Sequence, residues 1–598
     1  MDMPFLGQRI PCSQIVYWYK KFDAAVSCYW LRDKSSFKKN PVFLLVKRYG
    51  HPWKNGQRFS TPADESQILG CPFLEPCGGG GGDGEVSTKR AKLSTGASTG
   101  AGSEDRLSAL PDDILVLILR CLSTCGATQT SVLSRRWRRV WALVPTLCFR
   151  YTPDTRQIGP ALEAHETALL RLSVLTRDAA PDSVSAWLAV AARRLSGSLL
   201  FHNTVVREWG AQEGDEEEAA QKGAFELPCL ERATEVSLHL GFLVLAVPPA
   251  GVFARLCELY LSSIRFHSPG LLGDAVSWPR CPCLQKLNVL DARGLDNLSI
   301  HTDSLRQVEL TVLRGLRQLN IVAPALEELK VAHCYFYSRR SQPVANSTAP
   351  QLATLRWMDP YDPSSVHLGE MRHLRLLKPF FFVVYGDDSS THNQSCLSLL
   401  RRFKVIEHLI LTLIYLSDID DYQYVMEDMT MLPNITILHL NIFANKHAFG
   451  TSAFHVLRMC SGIRKLMLAF LARTYVEAQT ACPPGCICGE HQNWETEHLL
   501  LNHLKEVEIT RMRGYEHEVT FVKQLLIWGT ALEKVTVFFD ESVTESVAKA
   551  LSLVLRSFPR PEIKRADRRR LPHEWGLWKG KNEASFPRKI CGEAALNP

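Results

Sequence analysis

Three short helical patterns follow one another in residues 107–149. The first begins at Leu110-Pro111 and Asp112-Asp113, because proline fits the first turn of a helix and carboxylates there face the positive end of the helix dipole. Apolar residues then recur at the helical period, at Ile114, Leu115, Leu117, Ile118 and Leu122. This spacing predicts a helix that is apolar on more than one face.

Two further patterns complete this segment. One ends at Val132-Leu133, and the other starts at Ser134 and continues to Trp141. Serine commonly caps the N-terminus of a helix, so Ser134 is a predicted N-cap. A unit of about forty residues buries little apolar surface, and we expect it to complete its core against a partner.

The order and spacing of these patterns resemble an F-box. The resemblance is carried by LPDDIL at 110–115 and TSVLSRRWRRVW at 130–141. It implies a module that binds the Skp-type adaptor of an SCF-type (cullin-RING) ubiquitin ligase. One departure is Leu122-Ser123-Thr124, where many F-boxes have a Leu-Pro pair. A helical hairpin of some other bundle is the alternative.

By this resemblance, seven apolar residues are candidates for adaptor binding. They are Leu110, Pro111, Ile114, Leu115, Val132, Leu133 and Trp137. Some of them must instead hold the three helices together, and the sequence does not separate the two roles. Trp141 is expected in a core between the F-box and the chain that follows it. The arginines between Arg135 and Arg139 either steer an acidic adaptor or form a solvated helix face.

A repeat of the form L-x-x-L-x-[aliphatic] follows. Its eleven occurrences start at Leu256, Leu284, Leu305, Leu316, Leu326, Leu352, Ile406, Ile435, Ile463, Leu504 and Leu532. Three pairs of consecutive repeats start 28 residues apart, at 256 and 284, at 435 and 463, and at 504 and 532. This spacing suits a strand followed by a returning helix or loop. Spacings of 11 and 10 residues between 305 and 326 are too short for a helix. Alternating apolar positions give each strand one buried face, and stacking predicts a parallel sheet along a solenoid.

We therefore predict an α/β fold, with a small three-helix F-box followed by an irregular leucine-rich-repeat solenoid. The repeats resemble the irregular leucine-rich repeats of plant F-box proteins. The C-terminal part resembles the FBD region of plant F-box proteins through CPPGCICG, NWETEHLLLNHLKEVEI and GYEHEVTFVKQLLIWGTALEKVTVFFD. The last of these predicts a helix at 518–528 and a strand at 535–539 that close the solenoid.

The predicted organisation has seven parts. They are an unassigned N-terminal segment (1–70), a Gly/Ser-rich linker (71–103), the F-box (104–148), a connecting region with an acidic loop (149–229), leucine-rich repeats (230–481), an FBD-like repeat region (482–560) and a basic tail (561–598). We expect residues 1–100 to be dispensable for adaptor and target binding.

Composition narrows the function classes. A net charge of +7 over 598 residues is only weak evidence for nucleic-acid binding, because dedicated binders concentrate basic charge on one face. The 18 scattered cysteines and the lack of a secretory leader indicate reduced thiols in the cytoplasm or nucleus. The most apolar run, 240–254, contains Pro248-Pro249 and is too short to span a membrane.

The one metal-like cluster in the sequence consists of Cys482, Cys486, Cys488 and His491. Tetrahedral zinc is usually held by two separated ligand pairs, and four candidates within ten residues are crowded. We therefore expect a kinked loop with buried thiols, no metal and no cofactor. No recognisable catalytic Cys/His pair, hydrolase elbow or phosphate-binding loop is present. The chain is predicted to be a binding protein and not an enzyme.

Solvent-facing positions of the repeat strands are the candidates for binding an unknown protein target. The main ones are Lys286, Asn288, Arg306, Glu309 and Lys330, with Glu258, Tyr260 and Arg356 of the same kind. The predicted function is substrate recognition in an SCF-type ubiquitin ligase. The alternative is an F-box scaffold that recruits no degradation target. A third hypothesis is a basic, nucleic-acid-associated repeat protein. It would require basic side chains clustered on one face of the solenoid.

Overall fold

The computed structural model divides into two compact units, one ending at Val144 and the other beginning at Pro145. It describes residues 110–120, 122, 124–151, 155–204, 224–248, 250–266, 271–335, 344–386, 391–416, 419, 422–471, 485–489, 492–557 and 562–565. The predicted N-terminal segment, linker and acidic loop lie outside these residues, as do Cys482, His491 and most of the basic tail.

The first unit contains three helices, α1 (Asp112–Leu119), α2 (Thr124–Thr130) and α3 (Arg135–Ala142). Pro111 directly precedes α1, as predicted. Ser134 caps α3, because its hydroxyl oxygen accepts a hydrogen bond from the backbone N–H of Trp137 at 3.3 Å. The helices enclose a small apolar core formed by Leu115, Leu119, Ala127, Trp137, Val140, Trp141, Ala142 and Val144.

The second unit is built mainly from short strands. In chain order they are β1 (Thr146–Arg150), β2 (Leu169–Arg177), β3 (Leu195–Thr204), β4 (Ala224–Glu226), β5 (Glu235–His239), β6 (Val244–Ala246), β7 (Glu258–Phe266), β8 (Lys286–Arg293), β9 (Asn297–His301), β10 (Gln307–Arg314), β11 (Gln318–Val322), β12 (Glu328–Ala332), β13 (Val344–Thr348), β14 (Thr354–Met358), β15 (Val366–His367), β16 (Leu376–Lys378), β17 (Phe382–Val383), β18 (Tyr385–Gly386), β19 (Val405–Ile414), β20 (Gln423–Tyr424), β21 (Asn434–Phe443), β22 (Lys465–Leu471), β23 (Glu506–Met512), β24 (Lys534–Phe539) and β25 (Glu562–Arg565).

Helices return the chain between some of these strands. They are α4 (Ile158–Glu163), α5 (Pro181–Arg194), α6 (Leu271–Val276), α7 (Thr391–Arg401), α8 (Gly450–Arg458), α9 (Glu516–Trp528) and α10 (Glu545–Arg556). The helix α9 and the strand β24 confirm the elements that the sequence predicts at 518–528 and 535–539.

The main sheet is parallel along its whole length. Neighbouring strands pair in the order β1–β2–β3–β5–β7–β8–β10–β12–β14–β16–β19–β21–β22–β23–β24–β25. The strands β4 and β6 pair with each other beside β7, and β17 pairs with β19. A two-stranded antiparallel sheet joins β18 and β20.

Alternating burial confirms the predicted stacking of strands. In β8, Leu287 and Val289 are buried, whereas Lys286 and Asn288 retain exposed surface. Leu287 pairs in register with Leu259 on one side and Val308 on the other, so apolar positions form continuous ladders across the strands. Each strand therefore buries its apolar face only in the company of its neighbours, as in a repeat solenoid. The fold is α/β, as predicted.

The solenoid extends beyond its predicted limits at both ends. β1 to β3 already belong to the main sheet, so its parallel strands begin at Thr146 and not near residue 230. Leu169, Leu172 and Val174 show the same L-x-x-L-x-[aliphatic] spacing, which is the signal that sequence analysis missed. At the other end, β25 pairs with β24 inside the predicted tail.

The closely spaced repeat between 305 and 326 has a separate cause. β11, which contains Leu319 and Ile321, pairs with β9 and β13 in a second parallel sheet of four strands that ends with β15. A strand thus replaces the returning helix, because too few residues connect β10 to β12. The expectation that all repeats stack in one sheet is wrong for this repeat.

A buried carboxyl group ties two neighbouring repeats together. Asp359, directly after β14, is fully buried and accepts hydrogen bonds from the backbone N–H groups of Cys334 at 2.9 Å and Tyr335 at 3.0 Å. Burial raises the pKa of Asp359 to about 7, although the two N–H donors act in the opposite direction. The carboxyl group therefore binds its proton more tightly in the folded chain than in the unfolded chain.

The stabilising effect of this proton should be present at low pH and disappear as pH rises through 7. We expect the stability of the wild type, relative to an Asp359→Asn variant that cannot titrate, to fall by about 2 kcal/mol between pH 5 and pH 8. Urea unfolding midpoints of both proteins at these two pH values measure the effect. A difference that does not change with pH would contradict the raised pKa.

Candidate functional site

An apolar edge lies on the outside of the three-helix unit. We use this name for Leu110, Pro111, Ile114, Val132 and Leu133. Val132 is 60% exposed and Leu133 is 49% exposed, although both are large aliphatic residues. Pro111 is exposed, and Leu110 and Ile114 are half-buried. Exposed aliphatic side chains in such a small unit are typical of a surface that a partner covers.

Polar contacts fix the two parts of this edge relative to each other. Arg136, in the first turn of α3, donates from Nε to Oδ1 of Asp112 at 2.8 Å and from Nη2 to the carbonyl oxygen of Leu110. The Ser134 cap defines where α3 begins, one residue after Leu133. The turn that carries Val132 and Leu133 is thereby held close to the start of α1.

The structure separates the two roles that the sequence left open. Leu115 is fully buried and Trp137 is 7% exposed, and both belong to the core of the unit. Trp141 belongs to the core of the three-helix unit itself, and not to a core between this unit and the following chain as the sequence suggested. Leu115 and Trp137 therefore hold the helices together, and the half-buried Leu110 packs against the same core. The other four candidates, Pro111, Ile114, Val132 and Leu133, keep solvent-accessible surface outside this core. Leu117 is a further exposed apolar residue on α1 that sequence analysis did not select.

Candidate target-binding residues form a line across the main sheet. We call it the cross-strand row: Tyr260, Asn288, Glu309, Lys330, Arg356 and Lys378, one residue from each of β7, β8, β10, β12, β14 and β16. Five of them were selected from the sequence, and Lys378 was not. Because all six occupy the same register position, their side chains are on one face of the sheet.

Polar side chains along these strands already contact one another. Glu309 accepts a hydrogen bond from Asn288 at 3.1 Å and forms an ion pair with Lys330. Near the starts of the strands, Lys286 pairs with Glu258 at 2.8 Å and Arg306 pairs with Glu327 at 2.7 Å. Exposed ion pairs of this kind contribute at most about 1 kcal/mol, so they can be exchanged for contacts to a ligand.

The β14–β16 end of the row is positively charged. Burial, together with the neighbouring charges of Arg356 and Lys330, lowers the pKa of Lys378 to about 8. A surface groove of about 540 Å³ includes Arg306, Arg372, His373 and Arg375 among its lining residues. The cluster of Lys330, Arg356 and Lys378 favours an anionic group on a ligand, whereas the groove is also lined by Glu327, which pairs with Arg306.

The predicted metal-like cluster changes its membership in the structure. His447, which follows β21, lies beside Cys486 and Cys488, and the candidate ligand atoms of the three residues are all within 4.8 Å of one another. The sequence does not reveal His447 as a member of the cluster, because it is 39 residues from Cys486.

Among the helices that the structure describes, none has the length and apolar character needed to cross a membrane.

Comparison with known proteins defines the class of the first unit. Residues 107–148 match the F-box domain family. These residues include the apolar edge and all three helices of the first unit. The chain therefore carries an F-box domain, as the sequence patterns indicate.

Relatives from Arabidopsis thaliana extend the similarity to the repeats. A putative F-box/FBD/LRR-repeat protein is 27% identical over 458 residues, which cover 72% of this chain and 88% of the relative. A putative FBD-associated F-box protein is 26% identical over 50% of this chain and 64% of the relative. An F-box/LRR-repeat protein is 28% identical over 38% of this chain and 64% of the relative. The chain is thus similar to plant F-box/leucine-rich-repeat proteins with an FBD region.

Proposed function

We propose that this protein is the substrate-recognition subunit of an SCF-type ubiquitin ligase. The observation that carries the proposal is the apolar edge, because its exposed aliphatic residues belong to the segment that matches the F-box domain. The F-box binds the Skp-type adaptor and, through it, the cullin-RING ligase. The repeats bind a target protein.

The protein contributes proximity and no chemistry of its own. Binding to the adaptor and the target at once presents a lysine of the target to the ubiquitin-charged enzyme at high effective concentration. Bond formation belongs to the other subunits, so the chain needs neither a nucleophile nor a cofactor. The cytoplasm or the nucleus is the proposed compartment.

Reconstitution tests the adaptor part of the proposal. The full-length chain, mixed with a plant Skp-type adaptor and a cullin, is expected to co-elute with both in size-exclusion chromatography. Failure to bind the adaptor would refute the proposed function. Binding to adaptor and cullin without ubiquitylation of any captured protein, under conditions that support a known F-box protein, would favour the scaffold alternative.

Target recognition is expected to depend on the surface at the starts of the main-sheet strands, where Arg306 lines the groove. Arg306→Glu should reduce the capture of cellular partners at least tenfold, because it reverses a charge beside the groove, while adaptor binding stays unchanged. Arg317→Glu is the matched control: Arg317 is also exposed, but it precedes β11 of the second sheet. Quantitative affinity purification with the proteasome inhibited measures both variants. Equal losses, or loss with Arg317→Glu alone, would place recognition on another face.

A further inference from the structure

The geometry points to a zinc site formed by His447, Cys486 and Cys488. Two cysteine thiolates and one imidazole are ligands that Zn²⁺ prefers in structural sites. The site lies among the C-terminal repeats. Neither the observations that support it nor the experiments that test it involve the apolar edge.

The distances are close to those of a metal centre. Zinc–sulfur bonds of about 2.3 Å and zinc–nitrogen bonds of about 2.0 Å in a tetrahedron place neighbouring ligand atoms roughly 3.5 to 3.8 Å apart. The Sγ atom of Cys486 is 3.4 Å from Nδ1 of His447, and all the ligand atoms lie within 4.8 Å of one another. Shifts of about 1 Å or less would bring them into coordination.

The imidazole of His447 is oriented as a metal ligand would be. The residue is 1% exposed, and its Nε2 is 3.1 Å from the carbonyl oxygen of Leu416. An N–H group on Nε2 donates to this carbonyl, which leaves the lone pair of Nδ1 directed towards Cys486. Metal-binding histidines characteristically donate their second ring nitrogen to a carbonyl or carboxylate in this way.

Packing holds the two segments of the site together without a metal. His447 lies in the turn between β21 and α8. Cys486 directly precedes a short 3₁₀ turn (Ile487–Gly489) before β23, and Cys488 lies within that turn. A few residues away, Trp494 covers Gly450, the first residue of α8: a Cβ atom on Gly450 would lie 2.2 Å from the indole ring. This contact leaves no room for a side chain at position 450, and it fixes the cysteine segment against the histidine turn.

The structure also removes the reason for expecting no metal. That expectation rested on the crowding of four ligands within ten residues, whereas here the imidazole comes from a distant turn, and only two cysteines come from the crowded segment. Zinc binding would release the thiol protons to solvent, since thiolates are the ligands. With three protein ligands, a water molecule takes the fourth position of the tetrahedron.

Metal analysis of the full-length protein tests the site. The wild type, dialysed after addition of Zn²⁺, should retain one zinc per chain, and Cys486→Ser and Cys488→Ser should each lose it. Cys257→Ser is the matched control, because Cys257 is a partly buried free cysteine far along the solenoid, and it should retain the metal. A wild type without zinc, or zinc that persists in a Cys486→Ser/Cys488→Ser double variant, would overturn the assignment.

Two measurements on the unaltered chain keep the test decisive if the variants misfold. Co²⁺ added to chelator-treated wild type should produce thiolate-to-cobalt charge-transfer absorption, and Zn²⁺ should raise the urea midpoint of unfolding. Zn²⁺ should also protect Cys486 from alkylation by iodoacetamide. Absence of the cobalt band together with rapid alkylation that Zn²⁺ does not slow would contradict the site and indicate a reactive Cys486–His447 pair instead.

Discussion

Simultaneous replacement of Val132 and Leu133 by aspartate is expected to weaken adaptor binding at least about 100-fold. A few residues at the desolvated centre of an interface cost about 2 kcal/mol or more each when they are replaced, and a tenfold change in Kd corresponds to about 1.4 kcal/mol. A buried carboxylate adds a desolvation cost. Because both side chains are exposed, the core of the unit should be unaffected.

A matched control separates this effect from a general response to surface charge. Leu553 and Val554 of α10 form another adjacent aliphatic pair, and they are 68% and 41% exposed. Their replacement by aspartate should leave adaptor binding unchanged. Isothermal titration with the purified adaptor gives the Kd values, and circular dichroism checks helicity. Unchanged adaptor affinity in the folded Val132→Asp/Leu133→Asp variant would show that the apolar edge is not the binding surface.

Trp357→Ala is expected to destabilise the solenoid by about 3 to 5 kcal/mol, the range for truncating a buried tryptophan. Trp357 is 1% exposed on β14, and its indole N–H lies 3.4 Å from the carbonyl oxygen of Pro360. The substitution leaves a cavity between stacked strands and an unpaired carbonyl. Since each repeat is stabilised chiefly by its neighbours, unfolding should spread to β12 and β16.

Trp278→Ala provides the comparison for this prediction. Trp278 is 60% exposed, so its truncation should change stability by less than about 0.5 kcal/mol. Hydrogen exchange followed by mass spectrometry resolves the loss by segment, with faster exchange expected around 328–332 and 376–378 in the Trp357 variant. Equal stability of the two variants would mean that β14 is not packed in a continuous core.

Local chemistry explains which elements the sequence predicts well. Pro111 and Ser134 mark the starts of α1 and α3 through backbone requirements that act within a few residues. The alternation of buried and exposed positions in β8 is likewise a property of a single strand. These features need no knowledge of distant contacts.

Features that depend on the third dimension were not predictable. Leu115 and Leu133 are both aliphatic residues of the F-box, and only the packing of the helices shows that the first is core and the second is surface. The assignment of β11 to a second sheet depends on how many residues connect consecutive strands of the main sheet. His447 meets Cys486 because a turn and a loop pack together, which no spacing rule reports.

Under the proposed function, the cross-strand row would let inherited variation act on target recognition one position at a time. Neighbouring members are about 4.8 Å apart, and each belongs to a different repeat. A substitution at Asn288 or Arg356 changes the surface at one repeat only. Buried residues of the same strands, such as Val289 and Trp357, continue to stabilise the fold. Duplicated copies of such a gene can therefore diverge in the molecules they capture while they keep one scaffold and one common way of docking.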